Sequence, residues 1–167
     1  MAVEAIKSTQ ITNATATPSV INTAQVADGV PRFKRGQAAV DAAASIGSTY
    51  RLFRVKSNDI LPLLLLDCTA ITSAAGDIGL YKTADEGSAV ADADFFASAQ
   101  SLATALRGTD VTRESGVVTI ANSEKPIWEL LGLSADPQIE YDVTVTLTAA
   151  ATAAGTLSLS GFAVGRT

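Results

Sequence analysis

The segment Glu140–Thr148 constrains the fold more than any other part of this sequence. Its apolar residues Tyr141, Val143, Val145 and Leu147 alternate strictly with polar residues over nine positions. Successive side chains of a β-strand point to opposite faces, so this alternation predicts a strand with one apolar and one polar face. Such a strand is typical of an antiparallel sheet that covers a core on one side only.

Other short segments are rich in β-forming residues and are separated by turn-forming clusters. Ile60–Leu66 is apolar on both faces, which is typical of a central strand, and Pro62 favours a strand start or a bulge. After a loop at Ala149–Gly155 the alternation returns with Leu157 and Leu159, which predicts that the last two strands form a hairpin. The chain is therefore predicted to be all-β, an antiparallel β-sandwich or jelly roll of seven or eight strands. The remaining predicted strands are Ser48–Val55, Asp77–Lys82 and Gly116–Ile120.

Two segments depart from the β pattern. Pro126–Gly132 begins with a proline, which suits a first helical turn, and ends with a glycine, which suits a helix end. Because Ile127 and Leu130 are three residues apart and share one helical face, a short helix is predicted at the end of the sandwich. Phe95–Arg107 is predicted to be partly helical, because Leu102 and Leu106 are four residues apart.

The first 35 residues differ from the rest in being rich in Thr, Ala, Asn and Ser without a sustained apolar period. A segment of this composition buries too little apolar surface to offset its ordering entropy. We expect residues 1–35 to form an extended N-terminal arm that orders against a partner, or else a disordered tail. Residues 36–167 are expected to form one β-sandwich domain, since 167 residues suit a single domain.

The composition excludes several kinds of catalysis. The sequence has no histidine and a single cysteine, Cys68, so it lacks the ligands of a His/Cys zinc site and the imidazole of a Ser-His-Asp or Cys-His system. We therefore expect no histidine-based catalysis, no metal site and no cofactor. Cys68 is predicted to be a buried structural thiol.

Four carboxylates gather around a small-residue loop and leave two alternatives open. A solvated acidic loop is favoured over a cation site, because the order and spacing of a calcium-binding loop are absent. A carboxylate pair that cleaves sugars is a weaker alternative, since aromatic residues that would hold a sugar make up only 5% of the chain. The four residues are Asp85, Glu86, Asp92 and Asp94.

The charge of the chain argues against nucleic acid and membrane as partners. The formal net charge is −5 and only 17% of residues are charged, whereas a phosphate backbone is bound by clustered cations. The one dense basic run, Arg32, Phe33, Lys34 and Arg35, is predicted to anchor the arm on an acidic protein surface rather than on nucleic acid. No apolar run approaches the roughly 20 residues of a membrane-spanning helix, and no signal peptide is visible. We expect a protein made in the cytoplasm of its cell.

Three further residues have two interpretations each. Arg51 and Arg54 lie in an otherwise apolar strand, where they are expected at an edge or surface, or in salt bridges to a neighbouring subunit. Trp128 is expected to anchor the core, with a binding interface as the alternative. In the N-terminal segment, Val20 and Ile21 form a short β-prone pair that we assign to partner binding together with the basic run.

Several segments, in their order along the chain, resemble small structural proteins of tailed bacteriophages. The resemblance is to head decoration proteins, also called capsid cement proteins, of the jelly-roll type, and it extends over about residues 36–165. It rests on the order of several short motifs and not on one diagnostic signature. The motifs are Gly47–Val55, Asp77–Tyr81, Asp92–Ala97, Trp128–Leu133 and Asp136-Pro137.

The resemblance implies a structural and non-enzymatic role in the virion. Members of this kind form homotrimers on the outside of the phage head, where they bridge major capsid protein subunits and stabilise the shell. The N-terminal arm would then extend over the capsid or over a neighbouring subunit. Two alternatives remain open: another virion component with the same fold, such as a head fibre base or a tail-associated protein, and a carbohydrate-binding module.

Overall fold

Eight antiparallel strands form two four-stranded sheets in the computed structural model, which describes residues 12–13, 16–20 and 30–165. The first sheet has the order β1-β8-β3-β6 and the second has the order β2-β7-β4-β5. The strands are β1 (Pro31–Val40), β2 (Thr49–Lys56), β3 (Ile60–Cys68), β4 (Ala75–Lys82), β5 (Val90–Ser101), β6 (Leu106–Asp110), β7 (Glu140–Ala149) and β8 (Gly155–Val164).

The strand pairing is that of a jelly roll. The first strand pairs with the last, the second with the seventh, the third with the sixth and the fourth with the fifth. This pattern arises when one long antiparallel hairpin is folded over so that its strands alternate between two packed sheets. The predicted antiparallel β-sandwich of the jelly-roll kind is therefore confirmed.

The core lies between the two sheets and follows the alternation read from the sequence. In β7 the side chains of Tyr141, Val143, Val145 and Leu147 are all buried in it, as predicted. β3 lies between β8 and β6, which confirms the prediction of a central strand, and its register shifts between Ile60 and Leu63 at the predicted bulge.

The predicted hairpin of the last two strands is wrong. β7 pairs with β2 and β4 in the second sheet, whereas β8 pairs with β1 and β3 in the first. The connection 150–154 therefore crosses from one sheet to the other. Alternation shows which face of a strand is apolar, but both sheets of a sandwich turn an apolar face to the same core, so the pattern does not identify the strand's neighbours.

Two secondary-structure predictions between residues 95 and 120 are wrong, whereas the prediction of a short helix after them is confirmed. Residues 95–101 lie in β5 and residues 106–107 in β6, with the connection 102–105 between them, so the predicted helix is wrong. Gly116–Ile120 is not a strand but part of a turn-rich connection, in which Gly116 has a φ of 81°. The short helix is present as α1 (Ile127–Leu130), which docks by the backbone N–H of Ile127 donating to the carbonyl of Asp59.

The sandwich begins earlier than predicted. β1 starts at Pro31 and pairs with β8 from Pro31↔Val164 onward, so residues 31–35 belong to the first sheet and not to an arm. The sequence signal was weak here because the outward-facing side of β1 carries both polar and apolar residues. Most of residues 1–29, including Ile21, lies outside the described residues, so the arm stays a prediction.

At one edge of the sandwich, a glycine of β1 lies close to the backbone of β2. A Cβ built on Gly36 of β1 would fall on the backbone carbonyl of Leu52, at the point where the pairing of β2 with β7 shifts register. Only a residue without a side chain allows this approach of β1 to β2. The close approach shields part of an edge that would otherwise be free to pair with another strand.

The connections between strands fall at two ends of the sandwich. The end at which β1 begins and β8 ends also holds the connections 57–59, 83–89 and 111–139, and we call it the terminal end. Connections 41–48, 69–74, 102–105 and 150–154 lie at the opposite end. The long connection 111–139 carries α1 and is the largest irregular segment among the described residues of the domain.

Candidate interaction surface

An apolar row crosses three strands on the outer face of the first sheet. Phe33 of β1 pairs with Phe162 of β8, and Phe162 pairs with Leu63 of β3. Residues directly opposite each other in a sheet point to the same face, and this face is turned away from the core. Phe33 is 62% exposed and Phe162 is 39% exposed. The rings of Phe33 and Phe162 meet edge to face with their centroids 5.7 Å apart. We call Phe33, Phe162 and Leu63 together the aromatic row.

A groove lined by both polar and apolar residues lies on the same sheet face as the aromatic row. Arg35, two residues after Phe33, donates from Nε to the hydroxyl of Ser158 at 3.3 Å. Ser158 in turn donates to the carbonyl of Gly36 at 2.9 Å, which fixes the hydroxyl between β1 and β8. The groove has a volume of about 330 Å³, and Asp67 and Arg107 also line it. The outer face of the first sheet thus combines an apolar row with charged groups.

The structure divides the predicted basic run between the two sides of β1. Phe33 and Arg35 face outward, whereas Arg32 and Lys34 lie on the side of the core. The guanidinium of Arg32 forms an ion pair with Asp59, whose carboxylate is almost fully buried. Arg32 therefore helps to hold β1 on the β2–β3 connection. Lys34 forms no ion pair within the part of the chain that the structure describes.

The remaining predicted contact residues lie in the N-terminal segment. Val20 is exposed, and its backbone N–H donates to the carbonyl of Asn13 at 3.1 Å. Ile21 lies outside the described residues. Val30, directly before β1, is exposed on the terminal end, close in sequence to Phe33. The structure thus brings Phe33 and Arg35 together on one surface but provides no contact that joins Val20 to them.

Arg51 and Arg54 form hydrogen bonds and ion pairs with residues of their own chain. The Nη1 of Arg51 and the Nε of Arg54 each donate to a different oxygen of Asp142, both at 2.9 Å. Arg51 also donates to the carbonyls of Lys82 and Ser88. The guanidinium of Arg54 also lies 3.8 Å from the carboxylate of Glu140. These two arginines tie β2 to β7 and β4 on the outer face of the second sheet, and their two positive charges face two carboxylates of the same chain.

The four predicted carboxylates do not form one site. Asp85 and Glu86 lie in a 3₁₀ turn (Ala84–Glu86), while Asp92 and Asp94 lie in β5. Burial raises the pKa of Asp92 above its ordinary value, and a side-chain hydrogen bond with Asp94 raises it further. No group of three or more His, Cys, Asp or Glu residues able to hold a metal is found among the described residues.

The prediction of a buried thiol is confirmed for Cys68, whereas Trp128 is not the predicted core anchor. Cys68 is buried at the end of β3, its thiol lies 3.6 Å from the carbonyl oxygen of Thr104, and burial raises its pKa, as expected of an inert structural thiol. Trp128 is not part of the buried core: its side chain is partly exposed on α1, and its backbone N–H donates to the carbonyl of Ser57 at 2.9 Å. The prediction of a core anchor is therefore wrong for Trp128.

Comparison with known proteins adds one structural likeness. The chain is similar to a solved structure described as "Cyanophage Pam1 capsid asymmetric unit", with a TM-score of 0.49 and 10% sequence identity. The likeness covers 83% of this chain and 86% of that chain. No protein-family model and no curated protein matches the sequence.

Sequence reasoning missed two members of the aromatic row, Leu63 and Phe162. Both were assigned to strands, but their position beside Phe33 depends on the pairing of β8 with β1 and with β3, which joins residues that are far apart in the sequence. The only local signal is Phe162, which stands at a polar position of the alternation in β8.

Within the described ranges, no helix has the length and apolar character needed to span a bilayer.

Proposed function

We propose that this protein is a structural component of a phage virion, a decoration protein that binds the outside of the head and stabilises contacts between major capsid protein subunits. The observation that carries the proposal is the aromatic row on the outer face of the first sheet. A sheet face turned to solvent is usually polar, and a contiguous exposed apolar group marks a binding surface. The resemblance of the sequence motifs to head decoration proteins indicates the partner.

The composition of this face suits a protein partner. Aromatic residues and arginine are enriched at protein interfaces, and Phe33 and Arg35 stand two residues apart on the same strand face. The row is supported by a rigid sheet, because β8 is hydrogen-bonded on both sides by β1 and β3. A pre-organised surface loses little conformational freedom on binding.

In the proposed mechanism, several contacts contribute together to head binding. Several modest contacts on one oligomer act together, because the first contact raises the effective concentration of the others. An N-terminal segment that orders on the capsid would add contacts at an entropic cost. β1 begins at the terminal end, so this segment leaves the domain next to the aromatic row and could reach the same partner surface.

Co-sedimentation with undecorated mature heads tests the proposal. The wild-type chain should sediment with the heads, and Phe33→Ser should weaken binding by at least about 30-fold, the factor that corresponds to a hot spot of about 2 kcal/mol. Ile46→Ser is the matched control, because it removes an exposed aliphatic side chain at the opposite end. Wild-type protein that stays in the supernatant, or a Phe33→Ser variant that binds as well as Ile46→Ser, would refute the proposal.

Truncation tests the arm separately. Deletion of residues 1–29 leaves β1 complete, whereas deletion of residues 1–35 would remove half of an edge strand and its pairing with β8. The shorter deletion should leave a folded domain that binds heads poorly. Unchanged binding by this variant would exclude a role for the arm.

A carbohydrate-binding module remains the second candidate because two exposed aromatic residues share one sheet face. The planes of Phe33 and Phe162 are inclined by 60°, however, so they do not make the flat platform on which a sugar ring stacks. Binding of wild-type protein to purified host polysaccharide, lost in Phe33→Ser, would favour this candidate over head decoration.

A further inference from the structure

A β-bulge on the edge strand β6 carries Arg107. Two residues of β6, Arg107 and Gly108, stand opposite the single residue Asp67 of β3, where the pairing of the two strands shifts register. Gly108 has a φ of 61°, which residues with a side chain rarely adopt, and its N–H donates to Oδ1 of Asp67 at 2.7 Å. A bulge re-aims a side chain at the edge of a sheet. Here the re-aimed side chain is that of Arg107, which is exposed and lines the groove on the outer face of the first sheet.

The same groove receives a second guanidinium group from the other edge of the sheet. Arg35 lies on β1, which is the edge strand opposite to β6 in the order β1-β8-β3-β6. Its Nε donates to the hydroxyl of Ser158 at 3.3 Å, which orients the guanidinium and leaves both of its Nη atoms without a partner in the described ranges. Arg107 forms no ion pair with any described residue. Two guanidinium groups with unused donors therefore line one groove of about 330 Å³.

The charges in the groove do not cancel. Its lining holds the two arginines and one carboxylate, that of Asp67, and the other lining residues are uncharged. Asp67 accepts from the backbone of Gly108, and no ion pair joins it to either arginine. One positive charge is thus left over at this place, although the whole chain carries a formal net charge of −5. A local positive site on an acidic protein favours an acidic group of the partner.

We propose that an Asp or Glu side chain of the head partner enters this groove and that its carboxylate accepts hydrogen bonds from Arg107 and Arg35. The inference rests on the proposed function, because it names the chemistry that the outer face of the first sheet recognises. The planar fork of an arginine matches the two oxygens of a carboxylate. One carboxylate balances the one remaining positive charge, whereas a phosphate monoester would bring about two negative charges close to Asp67.

The groove and the aromatic row form one contact surface with two roles. Phe33 and Arg35 are two residues apart on the same face of β1, which is about 6–7 Å at ~3.3 Å per residue. The acidic side chain of the partner therefore stands next to the apolar group that covers Phe33. Burial of the aromatic row contributes affinity, while the charged contact selects the partner and fixes its register on the sheet.

Co-sedimentation of charge variants with undecorated mature heads tests the inference. Arg107→Gln should weaken head binding by at least about 10-fold, because it removes a hydrogen bond between charged groups. Arg113→Gln is the matched control: it changes the net charge equally, and Arg113 is an exposed arginine of the connection 111–139 outside the groove. The difference between the two variants should shrink at high salt, because ions screen the charged contact. Circular dichroism should show that both variants are folded.

Modification of arginine by phenylglyoxal gives a second measurement on the unaltered chain. Bound heads should protect Arg107 and Arg35 from the reagent and leave Arg113 reactive, as read from the masses of the proteolytic peptides. Inorganic phosphate that protects the two groove arginines as fully as heads do would assign the groove to a phosphate and overturn the proposed carboxylate.

The outcomes separate this inference from the proposed function. Suppose that the wild type binds heads and Phe33→Ser binds poorly. If Arg107→Gln then binds as well as Arg113→Gln, or if Arg107 stays reactive in the bound protein, the inference is overturned and the proposed function stands. Wild-type protein that does not bind heads at any salt concentration would overturn both.

Discussion

Replacement of Asp142 by alanine should destabilise the domain by about 2 kcal/mol. Asp142 is largely buried and receives one charged hydrogen bond from Arg51 and one from Arg54. A hydrogen bond to a charged group contributes about 1.5–3 kcal/mol when it is shielded from water. The side chain of Arg54 is 49% exposed, so its bond lies near the surface value of about 0–1 kcal/mol. Arg51 is less exposed, but it keeps two carbonyl partners after the replacement, which lowers its share.

Equilibrium urea unfolding, followed by circular dichroism and by the fluorescence of Trp128, measures this effect. The midpoint should fall while the m-value stays constant, and the melting temperature should fall by about 4–8 °C, at about 2–4 °C per kcal/mol for a domain of this size. Asp85→Ala is the control, because Asp85 is exposed in the 3₁₀ turn and should change stability by less than about 0.5 kcal/mol. A loss in Asp142→Ala no larger than in the control would refute the reasoning. A change in association without a change in unfolding would instead mean that the arginines bridge subunits.

Three further predictions follow from single sites. Gly36→Ala should cost about 1–3 kcal/mol or more in urea unfolding, because the new methyl group meets the rigid carbonyl of Leu52, whereas Gln37→Ala beside it should be nearly neutral. Asp92→Asn should raise the melting temperature at pH 7, because the raised pKa of Asp92 means that its ionised form is disfavoured in the folded state; the gain should vanish below the ordinary pKa of 3.8, and a gain that persists there would contradict the cause. The thiol of Cys68 should react slowly with a chromogenic disulfide reagent in buffer and rapidly in urea, and fast reaction of the folded protein would show that it is not buried.

Local pattern was sufficient where a strand is amphipathic. Tyr141 and Val145 alternate with polar residues, and this alternation alone located β7 and its buried face. The same kind of evidence failed at Gly116–Ile120, where the residues are β-forming but no strand lies beside them to accept their hydrogen bonds. β-propensity describes how well a side chain fits a sheet surface, so it does not show whether a sheet is present.

The spacing of Leu102 and Leu106 suggested a helix, but Leu102 lies in the connection 102–105 and Leu106 begins β6. The period of two is also broken within β5. The register of β5 against β4 shifts between Ile78 and Leu80, so that the strand bulges and both Phe95 and Phe96 are buried. A bulge places neighbouring side chains on the same side and breaks the period of two. Without the partner strand, the resulting pattern is closer to that of a helix than to that of a strand.

Part of the candidate surface could be predicted from composition. Arg32, Phe33, Lys34 and Arg35 stood out as the one dense basic run, and two of them do face outward together. The division between the two sides of β1 follows from strand alternation, which applies only once the segment is known to be a strand and not an arm. Asp59, the partner of Arg32, is 27 residues away in the sequence, and no local pattern connects them.

By itself the sequence determined the class of the fold and the chemistry that is absent from it, because alternation and composition are local properties of a chain. The jelly-roll strand order, the sheet in which each strand lies and the neighbours of Phe33 were decided only by the tertiary structure. These features depend on pairing between residues that are far apart in the sequence, such as β1 with β8. Such pairing is selected by the burial of the whole core at once, and no single segment encodes it.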